Sequence, residues 1–295
     1  MGPYVPRSKR GTLAAEEYVR PVEGVPAYLR SALLRWTRAR FTVTGAPLGI
    51  RQDAISGRYL ERIEGALRID LGPFSAQERL DGLLDRVSDD GELWLDLIDF
   101  VLRKPVKANT PFRETPRFEA AADLAGILED ANSAWTVAHR EAGGYFLARR
   151  VPAGADQALA EALEPADAAA HHLSAAWELA YQRGPSPGEA YREAVKAVES
   201  LACSLVEPNN RKSTLGTVLG VLKTTVGSGR WSATPPVTEQ LVVEMMSALW
   251  QHQLGRHGAA GTVPPPANTA EEAQAAVHLS ITLVQWLRSG AFRRA

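Results

Sequence analysis

The sequence predicts a mainly α-helical protein of two helical domains, with one small β-hairpin and a helical bundle at its C-terminal end. Three observations carry that expectation. Apolar residues recur at helical spacing along most of the chain, as Leu93, Leu97, Phe100 and Val101 do at i, i+4, i+7 and i+8. Residues 103–117, RKPVKANTPFRETPR, hold prolines that break helix and five basic residues against one Glu, so a linker is expected at 104–117 between domains at 1–103 and 118–295. In SAWTVAHREAGGYFLARRV, two β-favouring segments, Trp135–His139 and Tyr145–Arg149, flank a glycine pair, which reads as a hairpin.

Taken in order, Pro26 opens a helix through about Phe41, with Leu29, Leu33 and Trp36 on one face and Arg35 and Arg38 pointing away. Further helices are expected near 54–67, 75–87, 91–102 and 118–130. Beyond 155 the pattern is helical again. AAAHHLSAAWELAYQRG closes at Gly184, and in SPGEAYREAVKAVESLACSLVEP a Ser186/Glu189 capping box opens a stripe of Tyr191, Ala194, Val195, Val198, Leu201, Ala202 and Leu205. Leu215, Val218, Leu219 and Leu222 share one side of the next helix. The last two helices are expected at about 237–254 and 270–289, the second opened by a Thr269/Glu272 capping box.

With 295 residues, 45% hydrophobic and 23% charged, the chain can bury a large core and reads as a folded, water-soluble protein. A net charge of -1 gives no global pull toward nucleic acid or an anionic membrane, so such a partner needs a local basic patch. The single Cys203 forms neither an intrachain disulfide nor a thiolate metal cluster, which fits a reducing compartment. The N-terminal stretch lacks the apolar run of a secretory signal, and no segment approaches the roughly 18 apolar residues of a membrane span. A cytoplasmic protein without membrane, metal or cofactor is expected.

The C-terminal order of HLSAAWELAYQRGPSPGEAYREAVKAVES, RKSTLG, LWQHQLGRHG and AAVHLSITLVQW resembles a domain of abortive-infection-type proteins that is similar to the HEPN class of helical bundles. GVPAYLRSALLRWTRARF and ELWLDLIDFVL resemble the helical N-terminal domain that accompanies it. The resemblance implies a defence-associated or phage-associated protein that binds RNA or a protein partner; a homo-oligomer is expected, assembled in the noncatalytic alternative through apolar bundle faces. In active HEPN members it further implies a metal-independent ribonuclease, in which a His moves the proton of a 2′-hydroxyl and an Arg holds the growing phosphate charge. Those members carry the His four to six residues beyond the Arg. Here no His has an Arg at that spacing; Arg256 and His257 are adjacent.

Three places could carry chemistry. In WQHQLGRHG, Arg256 and His257 are the first catalytic candidates, while Gly255 also fits a helix stop whose carbonyls they would cap. There His252 shares a helix face with Met245 and Leu249 and is expected to be partly buried. Arg211, Lys212, Ser213 and Thr214 precede or begin a helix whose free N–H groups attract phosphate, the alternative being an ordinary hydroxyl cap with solvated bases. His278 lies on a polar line with Gln274 and Gln285 and would orient or relay a proton, or else be a hydrogen-bonded structural residue. Asp96 and Asp99 read as a solvated helix face. The rival to an RNA-binding or ribonuclease role is a noncatalytic interaction or structural module.

Overall fold

The computed structural model describes residues 6–10, 18–45, 52–104, 117–140, 143–254 and 267–295, and within them the chain is mainly α-helical. It divides into two compact units, 1–150 and 151–295.

The first unit holds α1 (Ala27–Phe41), β1 (Thr42–Gly45), β2 (Gln52–Ile55), α2 (Gly57–Leu67), α3 (Ala76–Asp89), α4 (Gly91–Arg103), α5 (Arg117–Asp130), β3 (Trp135–His139) and β4 (Tyr145–Arg149). Its helices start where short polar side chains can satisfy free N–H groups: Ser56 caps α2, Ser75 forms a capping box with Glu78 on α3, and Asp90 caps α4. Leu33, Leu60, Ile63, Leu83, Trp94, Leu97, Leu124, Leu128 and Leu147 are buried together in one core. Each fully buried aliphatic side chain among them contributes about 1.5–3 kcal/mol. Core polar groups are satisfied, since Trp36 Nε1 donates to the Ala120 carbonyl at 2.9 Å and Trp94 Nε1 to Thr37 Oγ1 at 3.1 Å.

The hairpin spans the expected residues, with Val137 opposite Leu147. Gly143 and Gly144 take φ of +86° and +98°, which side chains disfavour, and Arg140 N–H closes the turn on the Gly144 carbonyl at 3.0 Å. The expected boundary at 104–117 differs from the observed division. Helix α5 and the hairpin add Leu124, Leu128, Trp135 and Leu147 to the first core, so the chain divides after Arg150. Prolines end a helix, but which core the following segment joins depends on the apolar faces it carries. Asp99 also departs from the solvated reading, because its Oδ1 accepts the Leu147 N–H at 2.8 Å and its Oδ2 the Arg103 Nε–H at 2.5 Å.

The second unit holds α6 (Ala153–Ala162), α7 (Ala168–Tyr181), α8 (Pro187–Val206), α9 (Leu215–Thr225), β5 (Trp231–Ala233), α10 (Glu239–Gln251), α11 (Ala270–Arg288) and β6 (Phe292–Arg294). Helix α8 lies between α7 and α11, with the expected stripe of Tyr191, Ala194, Val195, Val198 and Ala202 buried. Small residues bring the helices close: Ser280 is fully buried and donates its hydroxyl to the Ala194 carbonyl at 3.0 Å. The Thr269/Glu272 capping box forms. Ser186 makes no side-chain cap; its backbone N–H turns back to the Leu179 carbonyl at 2.9 Å, and Pro187 starts α8 with a preset φ.

Two strand pairs join the expected hairpin. Strand β1 pairs antiparallel with β2, and β5 pairs antiparallel with β6 in the register Trp231↔Arg294, Ser232↔Arg293 and Ala233↔Phe292. Trp231 and Phe292 stack at 5.5 Å between ring centroids and close the end of the bundle. No helix of the described residues is long and apolar enough to cross a membrane.

Candidate functional site

Arg256 and His257 lie outside the described residues, as does Gly255. What the structure shows is how the chain enters and leaves that stretch. Helix α10 ends at Gln251, earlier than expected, and His252 is its C-cap, with Nδ1 2.8 Å from the Ala248 carbonyl. His252 is therefore exposed rather than partly buried, because the helical face it was to share with Met245 and Leu249 stops one residue before it. Asn268, itself buried, accepts the Leu254 N–H at 3.1 Å and donates to the His252 carbonyl at 2.9 Å and to Glu272 Oε2 at 3.1 Å. One amide thus clamps the end of α10 to the start of α11.

His278 sits on the outer side of α11 beside two buried aromatics of α7. The Tyr181 hydroxyl and His278 Nε2 are 2.8 Å apart, and the imidazole meets Trp177 edge-on at 5.8 Å. Burial, and secondarily the charge of Asp156, pushes the Tyr181 hydroxyl up to about 12. The Tyr181 hydroxyl thus stays protonated and holds His278 Nε2 in a hydrogen bond whose direction follows the imidazole tautomer. Gln285 donates to the Ala158 carbonyl at 3.1 Å and joins α11 to α6.

The turn between α8 and α9 gathers Arg211, Lys212, Ser213 and Thr214. Thr214 caps α9 and forms a capping box with Thr217. The place where a phosphate would meet the helix start is taken by the protein's own carboxylates. Glu207 Oε2 accepts from Ser213 Oγ at 2.7 Å and Thr217 Oγ1 at 2.5 Å, Glu207 Oε1 accepts from Asn210 at 3.2 Å, and Glu199 Oε1 accepts the Leu215 N–H at 2.6 Å. Hydrogen bonds from Thr217, Ser213 and Asn210 hold the Glu207 carboxyl below its ordinary range. Arg211 and Lys212 remain exposed. Cys203 lies near this cluster, and burial raises its thiol against the opposing Ser213 hydrogen bond.

Ser213 and Thr214 are thus brought into one network, with Arg211 and Lys212 beside it, while His278 belongs to a separate cluster with Trp177 and Tyr181. His172 Nδ1 pairs with Glu193 Oε2 at 2.7 Å, and Glu193 also binds Lys196 at 2.7 Å. Burial would raise Glu193, but the hydrogen bonds from Lys196 and His172 outweigh it and hold the carboxyl low. Among the described residues no group of three or more His, Cys, Asp or Glu is placed to hold a metal ion. A shallow, open groove runs along α10, lined by Lys223, Val243, Glu244, Ser247, Gln251 and His252.

Sequence reasoning missed three arginines on or next to the β5–β6 sheet. Arg294 donates to the Leu205 and Val206 carbonyls at 2.9 and 3.0 Å, and its guanidinium lies 5.6 Å from the Trp231 ring centroid. Arg230 lies 5.4 Å from the same ring. Arg293 donates to the Gly290 carbonyl at 2.9 Å and to Thr234 Oγ1 at 3.2 Å. The signal was faint: GSGRWSAT and FRRA are far apart in sequence and meet only through strand pairing. Comparison of the chain with known protein families, with curated proteins and with solved structures finds no match.

Proposed function

We propose that the chain is an RNA-binding protein that does not cut its ligand and acts in the cytoplasm in a defence-associated or phage-associated setting. The observation that carries this reading is the turn before α9. Arg211 and Lys212 stand exposed there, while Glu207 consumes the hydroxyls of Ser213 and Thr217. Such a turn offers positive charge to a phosphate and no free group to move a proton. The adjacency of Arg256 and His257 supports the same reading. The order of motifs from 172 to 286, similar to the C-terminal domain of abortive-infection-type proteins, supports the setting.

A panel of single-stranded and transfer RNAs, incubated without added metal, tests it. The purified protein is expected to retard RNA in a native gel and leave it intact in a denaturing one. Cleavage by the parent that Arg256→Ala/His257→Ala loses overturns the noncatalytic reading in favour of a HEPN-type ribonuclease.

A further inference from the structure

We propose that the outward edge of β3 is a self-pairing site, through which two copies of this chain join their hairpins antiparallel into one continuous sheet. The pairing within the hairpin shows which main-chain groups face outward. Arg140 N–H donates to the Gly144 carbonyl at 3.0 Å and Arg150 N–H to the Ala134 carbonyl at 2.9 Å. Bonded and non-bonded positions alternate along an antiparallel pair, so Thr136 and Ala138 bond to β4, whereas Trp135, Val137 and His139 turn their N–H and C=O groups away from it. Leu147 keeps the same parity: it lies opposite Val137, and its N–H points outward from β4 to Asp99 Oδ1.

The fold closes the neighbouring positions and leaves this edge open. Asp99 of α4 plugs the outer side of β4 at Leu147. The start of β3 is closed twice, because Ser133 Oγ accepts the Trp135 N–H at 3.1 Å, and Val22, bridged in parallel to Ser133, accepts the Ala134 N–H at 2.9 Å. Among the described residues, no hydrogen bond is made on the outward side of Val137 or His139. The usual guards are missing as well. Exposed edges are ordinarily protected by lysine, proline or a bulge, but Trp135–His139 reads WTVAH in unbroken register with β4, and Thr136, Val137 and Ala138 are half-exposed. Strand β6, by contrast, carries two arginines in its three residues.

The occupant that fits is a second copy of β3. Val22 fills the lane beside β3 as far as Ala134, so the open lane runs over the five residues Trp135–His139, the length of β3 itself. A two-fold axis at Val137 sets that residue opposite its own copy, where the two exchange both main-chain bonds, and sets His139 opposite the Trp135 carbonyl of the second copy. The side chains brought closest, Thr136 and Ala138, are small. The strand holds no Lys, Arg, Asp or Glu, so no like charges oppose each other across the axis. An unrelated strand must supply its own register, whereas β3 carries one that uses both open positions.

The test uses the full chain. Sedimentation velocity over roughly 1 to 200 μM is expected to show a monomer–dimer equilibrium. In the parent, amide exchange at Val137 and His139 is expected to slow as concentration rises, while Thr136 and Ala138, already held by β4, do not change. Thr136→Lys sets two lysines about 7–8 Å apart across the axis, and Val137→Pro removes an outward N–H that the hairpin does not use. Each is expected to weaken dimerisation at least about tenfold while keeping the far-UV circular dichroism of the parent. Thr224→Lys, exposed near the end of α9, is expected to dimerise like the parent. The exchange measurement needs no variant, so a variant that misfolds leaves the test intact. A dimer that both edge variants keep unweakened, or in which Val137 and His139 exchange independently of concentration, overturns the proposal by placing the contact elsewhere. A parent that stays monomeric throughout also overturns it and leaves the edge to a strand of another protein.

Discussion

Tyr181 and Tyr59 both bury their rings and keep their hydroxyls bonded, Tyr181 to His278 and Tyr59 to the Lys104 carbonyl at 2.7 Å. Burial raises both hydroxyls, that of Tyr181 from its usual value of 10 to about 12, while Arg62 opposes the rise at Tyr59. A group whose folded pKa exceeds its unfolded value stabilises the fold fully below the unfolded pKa. The stability from Tyr181 is therefore present below pH 10 and is lost as the pH rises from 10 toward 12. Tyrosinate absorbance is expected to show Tyr59 and Tyr181 ionising only well above pH 10, together with unfolding. All seven tyrosines titrating in one step while the protein stays folded would rule this out. A second single-residue prediction concerns Gly216. A Cβ there would lie 2.7 Å from Trp250 Cζ2, so Gly216→Ala forces the indole off the start of α9 and is expected to cost about 1–3 kcal/mol in chemical denaturation, despite the helix propensity of alanine. A neutral or stabilising result would mean that the indole moves freely.

Single polar side chains also decide how whole elements attach. Arg288, at the end of α11, donates to the Ala162 carbonyl, to the Glu164 and Pro165 carbonyls at 3.2 and 3.3 Å, and to Asp167 Oδ1 at 2.5 Å. Arg288→Ala leaves the turn between α6 and α7 without its common donor and is expected to destabilise the protein by about 2–4 kcal/mol. Asp99 plays the corresponding part for the hairpin. Asp99→Ala is expected to speed amide exchange at Leu147 more than at Ala148, because it removes the acceptor of the Leu147 N–H and leaves the strand pairing that holds Ala148 intact. Equal protection of the two amides in parent and variant would contradict that role. The hairpin itself was legible because a glycine pair between aromatic and β-branched residues leaves few other conformations. The pairs β1–β2 and β5–β6 were not, since strands of three or four residues carry too little alternation to read. The supposed Ser186 cap failed for another reason: the same pattern serves a residue whose backbone N–H is drawn to Leu179, and only tertiary structure decides between them. Arg211 and Lys212 were visible as a dibasic pair before a helix, whereas Arg230, Arg293 and Arg294 came together only through long-range pairing.

At the scale of the whole chain, helical periodicity revealed two cores but not where one ends. The proline-rich stretch is a conspicuous break in pattern, yet the residues beyond it complete the first core through Leu124, Leu128, Trp135 and Leu147. The two clusters of buried side chains share no residue, one drawn from 29–147 and the other from 162–292. Residues 18–150 and 151–295, expressed separately, are each expected to unfold cooperatively, whereas a fragment starting at 118 should carry an exposed α5 and hairpin and aggregate. Whether this chain holds RNA without cutting it is decided by incubating labelled RNA with the full chain in the absence of added metal, following anisotropy and then strand length in the same sample. High anisotropy with full-length RNA throughout is the expected result; shortened strands that depend on Arg256 and His257 would contradict it.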